Sequence, residues 1–178
     1  NIRFNRDGRD VQAYLRGLEE AVENEELVSV FKGHRVVDVS GFVGQFKTLI
    51  RDGDGRETLL EHGAVVVATG GGHYEPTEYL YGSDARVLTQ WELERRIADK
   101  DPDLRALRRV VMIQCVGSRE EERPYCSKVC CTEAVKNALA LKRLSPATDT
   151  FVLYRDIRTY GLREDLYREE REAGVVFT

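Results

Sequence analysis

Every cysteine of the chain lies in one stretch, CVGSREEERPYCSKVCC, from Cys115 to Cys131. The spacing is Cys-x10-Cys-x3-Cys-Cys, so Cys130 and Cys131 are adjacent. Four thiolates suit a tetrahedral zinc or an iron–sulfur cluster. The pattern is neither the paired Cys-x2-Cys of a zinc ribbon nor a ferredoxin run. Adjacent side chains diverge, so two neighbouring cysteines strain towards one ion, whereas a cubane offers a separate iron at each corner. The residues put a cluster ahead of zinc and leave both open. A catalytic dithiol would show Cys-x-x-Cys, which is absent, and a Cys130–Cys131 disulfide would be strained. Arg119, Arg123 and Lys128 lend positive charge that favours thiolates. A helix expected to open at the adjacent pair adds amide donors and a partial positive charge.

Such thiols need a scaffold. RRVVMIQC, just before them, reads as a buried strand. CTEAVKNALALKRL reads as a helix with Ala134, Val135, Ala138, Leu139 and Leu141 inward. DTFVLYRD is then a strand, REDLYREEREAG a helix and VVF a strand. That alternation is half of a doubly wound parallel sheet. In a dinucleotide-binding unit the first strand-to-helix turn carries Gly-x-Gly-x-x-Gly. Here only Gly117 remains, and the turn is roughly ten residues longer than usual. The thiols therefore occupy the position of a phosphate. Arg155 and Asp156, in YRDIRTYG, fall where such a fold reads a ribose. With the glycine motif gone, they are expected to line a surface or meet a neighbouring domain.

The preceding residues read differently. Asp10 caps a helix that carries Val11, Tyr14, Leu15, Leu18 and Val22 on one face. LVSVFKG is expected to be a strand. RVVDVSGF and GQFKTLIRD form a hairpin around Gly41–Gly44, and RETLLEH adds a third strand after the DGDG turn. In GAVVVATGGG, the run Val65–Val67 predicts a strand buried on both faces of a parallel sheet. Its glycine end would leave bare backbone for a ligand, or simply form a tight turn. Thr89 and Glu92 make a capping box, so a helix starts there, and KDPD ends it. His34, His62 and His73 are scattered and read as surface or turn residues, with His73 the one placed to touch a cofactor. Trp91 reads as core.

The chain has 178 residues, 42% of them apolar, and a net charge of −4. That charge argues against nucleic acid and anionic membrane as partners. No apolar run approaches the roughly 20 residues of a membrane helix, and NIRFNRDGRD lacks a signal-peptide core. A cytoplasmic, reducing setting is expected, where clustered cysteines bind metal or do redox work.

Together CVGSREEERPYCSKVCC, YRDIRTYG and GAVVVATGGGHYEP, with VSGFVGQF and VLTQWELE, resemble the heterodisulfide reductase A-subunit family. The resemblance implies an oxidoreductase component, an iron–sulfur flavoprotein on a thioredoxin-reductase-like core, with Cys115, Cys126, Cys130 and Cys131 ligating a [4Fe–4S] cluster near FAD. It implies that Thr69, Gly70 and Gly71 make the backbone-type FAD contact, and that the three short strands are the family's β-meander. It also implies electron transfer, by bifurcation in some members. The implied partners are the other reductase subunits and a hydrogenase or formate-dehydrogenase-type donor. The chain reads as an internal piece without the Gly-rich turn that holds the FAD pyrophosphate. Residues 1–98 are then a partial FAD-binding domain with the meander and the ATGG strand end. Residues 99–178 are a partial second Rossmann-like unit with the cysteine loop. Such a piece is expected to be inactive as an enzyme by itself. The alternatives are a zinc-stabilised docking module and an NAD(P)H-binding domain using Arg155.

Overall fold

A computed structural model describes residues 2–5 and 7–178, apart from the Leu162 side chain. The chain forms two compact units, Asn1–Arg16 with Tyr74–Thr178, and Gly17–His73. Helix α1 (Val11–Glu23) runs from the first into the second. Asp10 caps it as predicted, its Oδ1 accepting from the amides of Gln12 at 2.8 Å and Ala13 at 3.0 Å. Its apolar face is formed, but α1 contains no buried residue.

The Gly17–His73 unit is built on an antiparallel meander, β1 (Arg35–Ser40), β2 (Phe46–Arg51) and β3 (Glu57–His62), in that order. Gly41 makes the first turn. Its φ is +95°, and any added Cβ would overlap the Gln45 carbonyl oxygen, so other residues are excluded. The middle strand buries Thr48 and Ile50. His62 is tied into the sheet, with Nε2 2.7 Å from Thr48 Oγ1 and Nδ1 2.9 Å from the Ala64 carbonyl.

Two expected strands do not form. The Leu27–Gly33 segment is turn and open backbone, with Leu27 93% exposed. The run Val65–Val67 is likewise unpaired, with Val66 88% exposed. A strand needs a neighbour to take its N–H and C=O groups, and among the described residues neither segment has one. An apolar run shows what burial would suit it; it does not supply the partner.

The other unit holds α2 (Gln90–Ala98), β4 (Arg109–Ile113), α3 (Cys130–Leu144), β5 (Asp149–Leu153), α4 (Glu164–Glu172) and β6 (Val176–Phe177). Strands β4, β5 and β6 lie side by side and parallel, each pair joined through a helix, as the sequence predicts. The whole is an α/β fold. The capping box of α2 forms: Thr89 Oγ1 accepts from the Glu92 amide, and Glu92 Oε2 accepts from the Thr89 amide at 2.7 Å. Trp91, expected in the core, is half-buried on α2.

The core joins Leu93, Leu104, Met112, Ala134, Ala138, Leu141, Val152 and Val175. Burying each larger side chain of this set contributes about 1.5–3 kcal/mol. All five α3 residues expected to face inward are buried. Polar contacts set the seating of α3. Asn137 Nδ2 donates to the Gln90 carbonyl at 3.1 Å, and Lys136 Nζ lies 3.0 Å from Glu94 Oε1 and 2.8 Å from Glu133 Oε2. Burial works against the Glu94 carboxylate, but the Arg3 amide and the Lys136 ammonium hold it below the usual carboxylate range. No helix among the described residues is long and apolar enough to cross a membrane.

Candidate metal centre

The cysteine loop leaves the sheet at the carboxyl end of β4. Gln114 still joins the ladder, its amide donating to the Leu153 carbonyl at 2.9 Å. Cys115 then breaks away with φ +63°. Gly117, Arg119 and Lys128 also have φ between +62° and +64°. A left-handed non-glycine residue costs about 1–2 kcal/mol. Cys115, Arg119 and Lys128 therefore hold a costly shape that the surrounding contacts must enforce. Residues 119–125 fold back on themselves. The Arg119 amide donates to the Tyr125 carbonyl at 3.1 Å, and Ser118 Oγ donates to the same oxygen at 2.8 Å. The chain then runs into α3, which opens at Cys130 as predicted, without a side-chain cap at Val129.

Two wedges brace the loop. The Tyr74 ring packs so tightly on Gly117 that a Cβ there would collide with Tyr74 Cε1. Arg123 stacks on the same ring, its guanidinium carbon 4.0 Å from the Tyr74 centroid. The second wedge is the segment after β5. Asp156 pairs with Arg119 through one carboxylate oxygen and accepts from Arg158 Nε through the other at 2.8 Å. Arg155 Nη1 donates to the Arg119 carbonyl at 2.6 Å.

All four cysteines are free. Cys115 and Cys131 are buried, and Cys126 and Cys130 are half-buried. The Cys130 sulfur accepts from the Cys131 thiol and from the Cys115 backbone amide. The hydrogen bond from Cys131 is the first cause favouring the Cys130 thiolate, and burial opposes it. Cys131 is accordingly kept protonated, by that bond and by burial. Cys126 Sγ accepts from the Lys128 amide at 3.3 Å. Of the expected cations, only Arg119 approaches a thiol with its charged group, Nη1 lying 4.0 Å from Cys115 Sγ. Arg123 is committed to Tyr74, and Lys128 serves through its backbone. Thr69, Gly70 and Gly71 belong to the other compact unit. They are exposed, with Gly70 at φ +66° and open space about both glycines.

Among the described residues, no three Cys, His, Asp or Glu side chains already stand as a metal-holding group. The donor set nevertheless fits one. Beside Cys115, both polar atoms of the Gln114 side chain are buried without a hydrogen-bond partner. Beside Cys131, so is Thr132 Oγ1. Leaving such groups unsatisfied costs about 1–3 kcal/mol each. Four free thiols gathered in one loop are soft donors that suit a metal ion or an iron–sulfur cluster. The sequence singled out the thiols and YRDIRTYG but not Tyr74, Gln114 or Thr132.

An α/β scaffold whose first parallel strand delivers a four-thiol loop defines the class of protein. No family model matches the chain. Among curated proteins it is similar to the A-subunit of the H(2):CoB-CoM heterodisulfide,ferredoxin reductase of Methanothermobacter thermautotrophicus, 40% identical over 142 residues. That match covers 71% of this chain and 22% of the relative. The iron-sulfur A-subunit of the CoB--CoM heterodisulfide reductase of Methanocaldococcus jannaschii is 39% identical over 137 residues, covering 68% of this chain and 21% of the relative. The A-subunit of the H(2)/formate:CoB-CoM heterodisulfide,ferredoxin reductase of Methanococcus maripaludis is 38% identical, with the same coverage. The chain is homologous to the heterodisulfide reductase A-subunit, and it spans about a fifth of the length of these relatives.

Proposed function

We propose that the chain is the cysteine-loop segment of an electron-transfer flavoprotein of the heterodisulfide reductase type. Cys115, Cys126, Cys130 and Cys131 would hold a [4Fe–4S] cluster, which supplies one-electron transfer when bound. Thr69, Gly70 and Gly71 would offer bare backbone to FAD in the full-length protein, where the flavin exchanges electron pairs for single electrons, in some members by bifurcation. The partners would be the other reductase subunits and a hydrogenase or formate-dehydrogenase-type donor. The names of the relatives speak of hydrogen, formate and ferredoxin. The chain's setting would be cytoplasmic. The redox activity belongs to the full-length protein.

One observation carries the reading: four free thiols share one strand-to-helix turn, between β4 and the start of α3. An NAD(P)H site is less well supported, because Arg155 and Asp156 are engaged with the cysteine loop.

Anaerobic reconstitution with iron and sulfide is expected to give about four irons and four sulfides per chain, with broad visible absorption. Cys126→Ala is expected to lose most of that loading. Parent-like loading of Cys126→Ala would overturn the ligand assignment. Tightly held zinc without sulfide, after purification free of oxygen, would overturn the cluster in favour of a zinc-stabilised module.

A further inference from the structure

The segment Arg155–Arg158 begins 24 residues beyond Cys131, the end of the cysteine loop, yet it forms one wall of it. Asp156 is the hub. One carboxylate oxygen binds Arg119, whose Nη1 is 4.0 Å from Cys115 Sγ, and the other accepts from Arg158 at 2.8 Å. The Asp156 carbonyl lies 3.9 Å from Cys131 Sγ, and the Arg158 amide also points at that sulfur. Arg158 is within electrostatic reach of Cys126. All three side chains are partly shielded, with 25% of Arg119, 45% of Asp156 and 29% of Arg158 exposed. A guanidinium in such a place acts at a lower effective dielectric than in water.

We propose that Asp156 is a positioning residue: it pins two guanidinium groups against the cysteine loop, so that their positive charge stabilises electrons and thiolates held there. The proposal rests on the cluster reading above. Arginine suits the role because its fork can bind the carboxylate and still face a sulfur. Left unpinned, Arg119 and Arg158 would extend into water, where their charge is screened.

The test is a dye-mediated redox titration of the reconstituted chain, compared with Arg119→Met, Arg119→Lys and Asp156→Asn, with iron and sulfide counted for each. Arg119→Met is expected to lower the midpoint potential, and Arg119→Lys to recover part of the shift. Asp156→Asn discriminates. Removing a negative charge without any positioning effect would raise the potential; releasing the two arginines lowers it. A lower midpoint for Asp156→Asn at parent-like loading supports the proposal, and an unchanged or higher one overturns it.

Should a variant not load, or should the parent take no cluster, cobalt(II) titration of the metal-free chain decides, read from thiolate-to-cobalt absorption. Arg119→Met is expected to weaken cobalt binding at least threefold, although loss of a positive charge near a dication would by itself strengthen it. Asp156→Asn is expected to weaken it far less in the Arg119→Met background than in the parent. Equal or tighter binding by Arg119→Met, or an Asp156→Asn loss of the same size in both backgrounds, overturns the proposal. A parent that binds cobalt but assembles no cluster removes the cluster reading alone. A parent that binds neither removes both.

Discussion

Glu170 sits on α4 with no exposed surface and with neither carboxylate oxygen hydrogen-bonded. Burial raises its pKa to about 9, so the folded chain carries it protonated at neutral pH. The sign of the consequence is fixed. Between the ordinary value of 4.5 and about 9, unfolding releases a proton, so stability falls as pH rises through that window. The slope is at most about 1.4 kcal/mol per pH unit. Glu170→Gln cannot ionise. It is expected to melt at a higher temperature than the parent, by a margin that widens from pH 5 to pH 8. Thermal denaturation across that range checks it, and parallel curves would place the pH dependence elsewhere.

At the scale of elements, the cysteine loop depends on a ring wedged against a glycine. Gly117→Ala would drive a Cβ into Tyr74 and force alanine to φ +64°. It is expected to cost about 1–3 kcal/mol. A second substitution, Tyr74→Ala, is expected to return less in the Gly117→Ala background than the full loss, because the left-handed backbone remains. Melting curves of the two single variants and the double variant measure the coupling.

The elements around this loop were legible in sequence because their signals are local. Thr89 and Glu92 announce α2, the turns at Gly41–Gly44 and DGDG announce β1–β3, and the apolar stripe of α3 names its own buried face. The misreadings at Leu27–Gly33 and Val65–Val67 share one cause. Period and apolarity describe a strand's faces, whereas pairing depends on a neighbour that no local pattern reveals. The same holds for the site. Cysteine spacing marked the ligand candidates, but Asp156 meets Arg119 across a sequence separation of 37, through a contact only the parallel sheet creates.

For the whole molecule, the division into two compact units makes the connecting residues informative. Residues 64–73 carry no strand or helix, and no amide among them joins a ladder. Hydrogen exchange is expected to be complete at residues 64–72 at the earliest times, while β2 and the buried turns of α3 remain protected. Slow exchange at Val65–Val67 in the isolated chain would show that this run finds a partner after all. In the full-length protein, the proposed flavin contact at Thr69–Gly71 predicts protection of the same amides when FAD is present.

The left-handed residues of the cysteine loop bear on how the protein is made. Cys115, Arg119 and Lys128 adopt a conformation that their own backbones disfavour. The contacts that compensate come from Tyr74 and from the segment after β5, which emerges from the ribosome later than the thiols do. The nascent chain thus exposes four separate cysteines and only afterwards a nest for them. The loop's full set of contacts is therefore complete only after the sheet has closed. Until then the thiols lack that cover, and in the folded chain Cys126 and Cys130 remain half-buried.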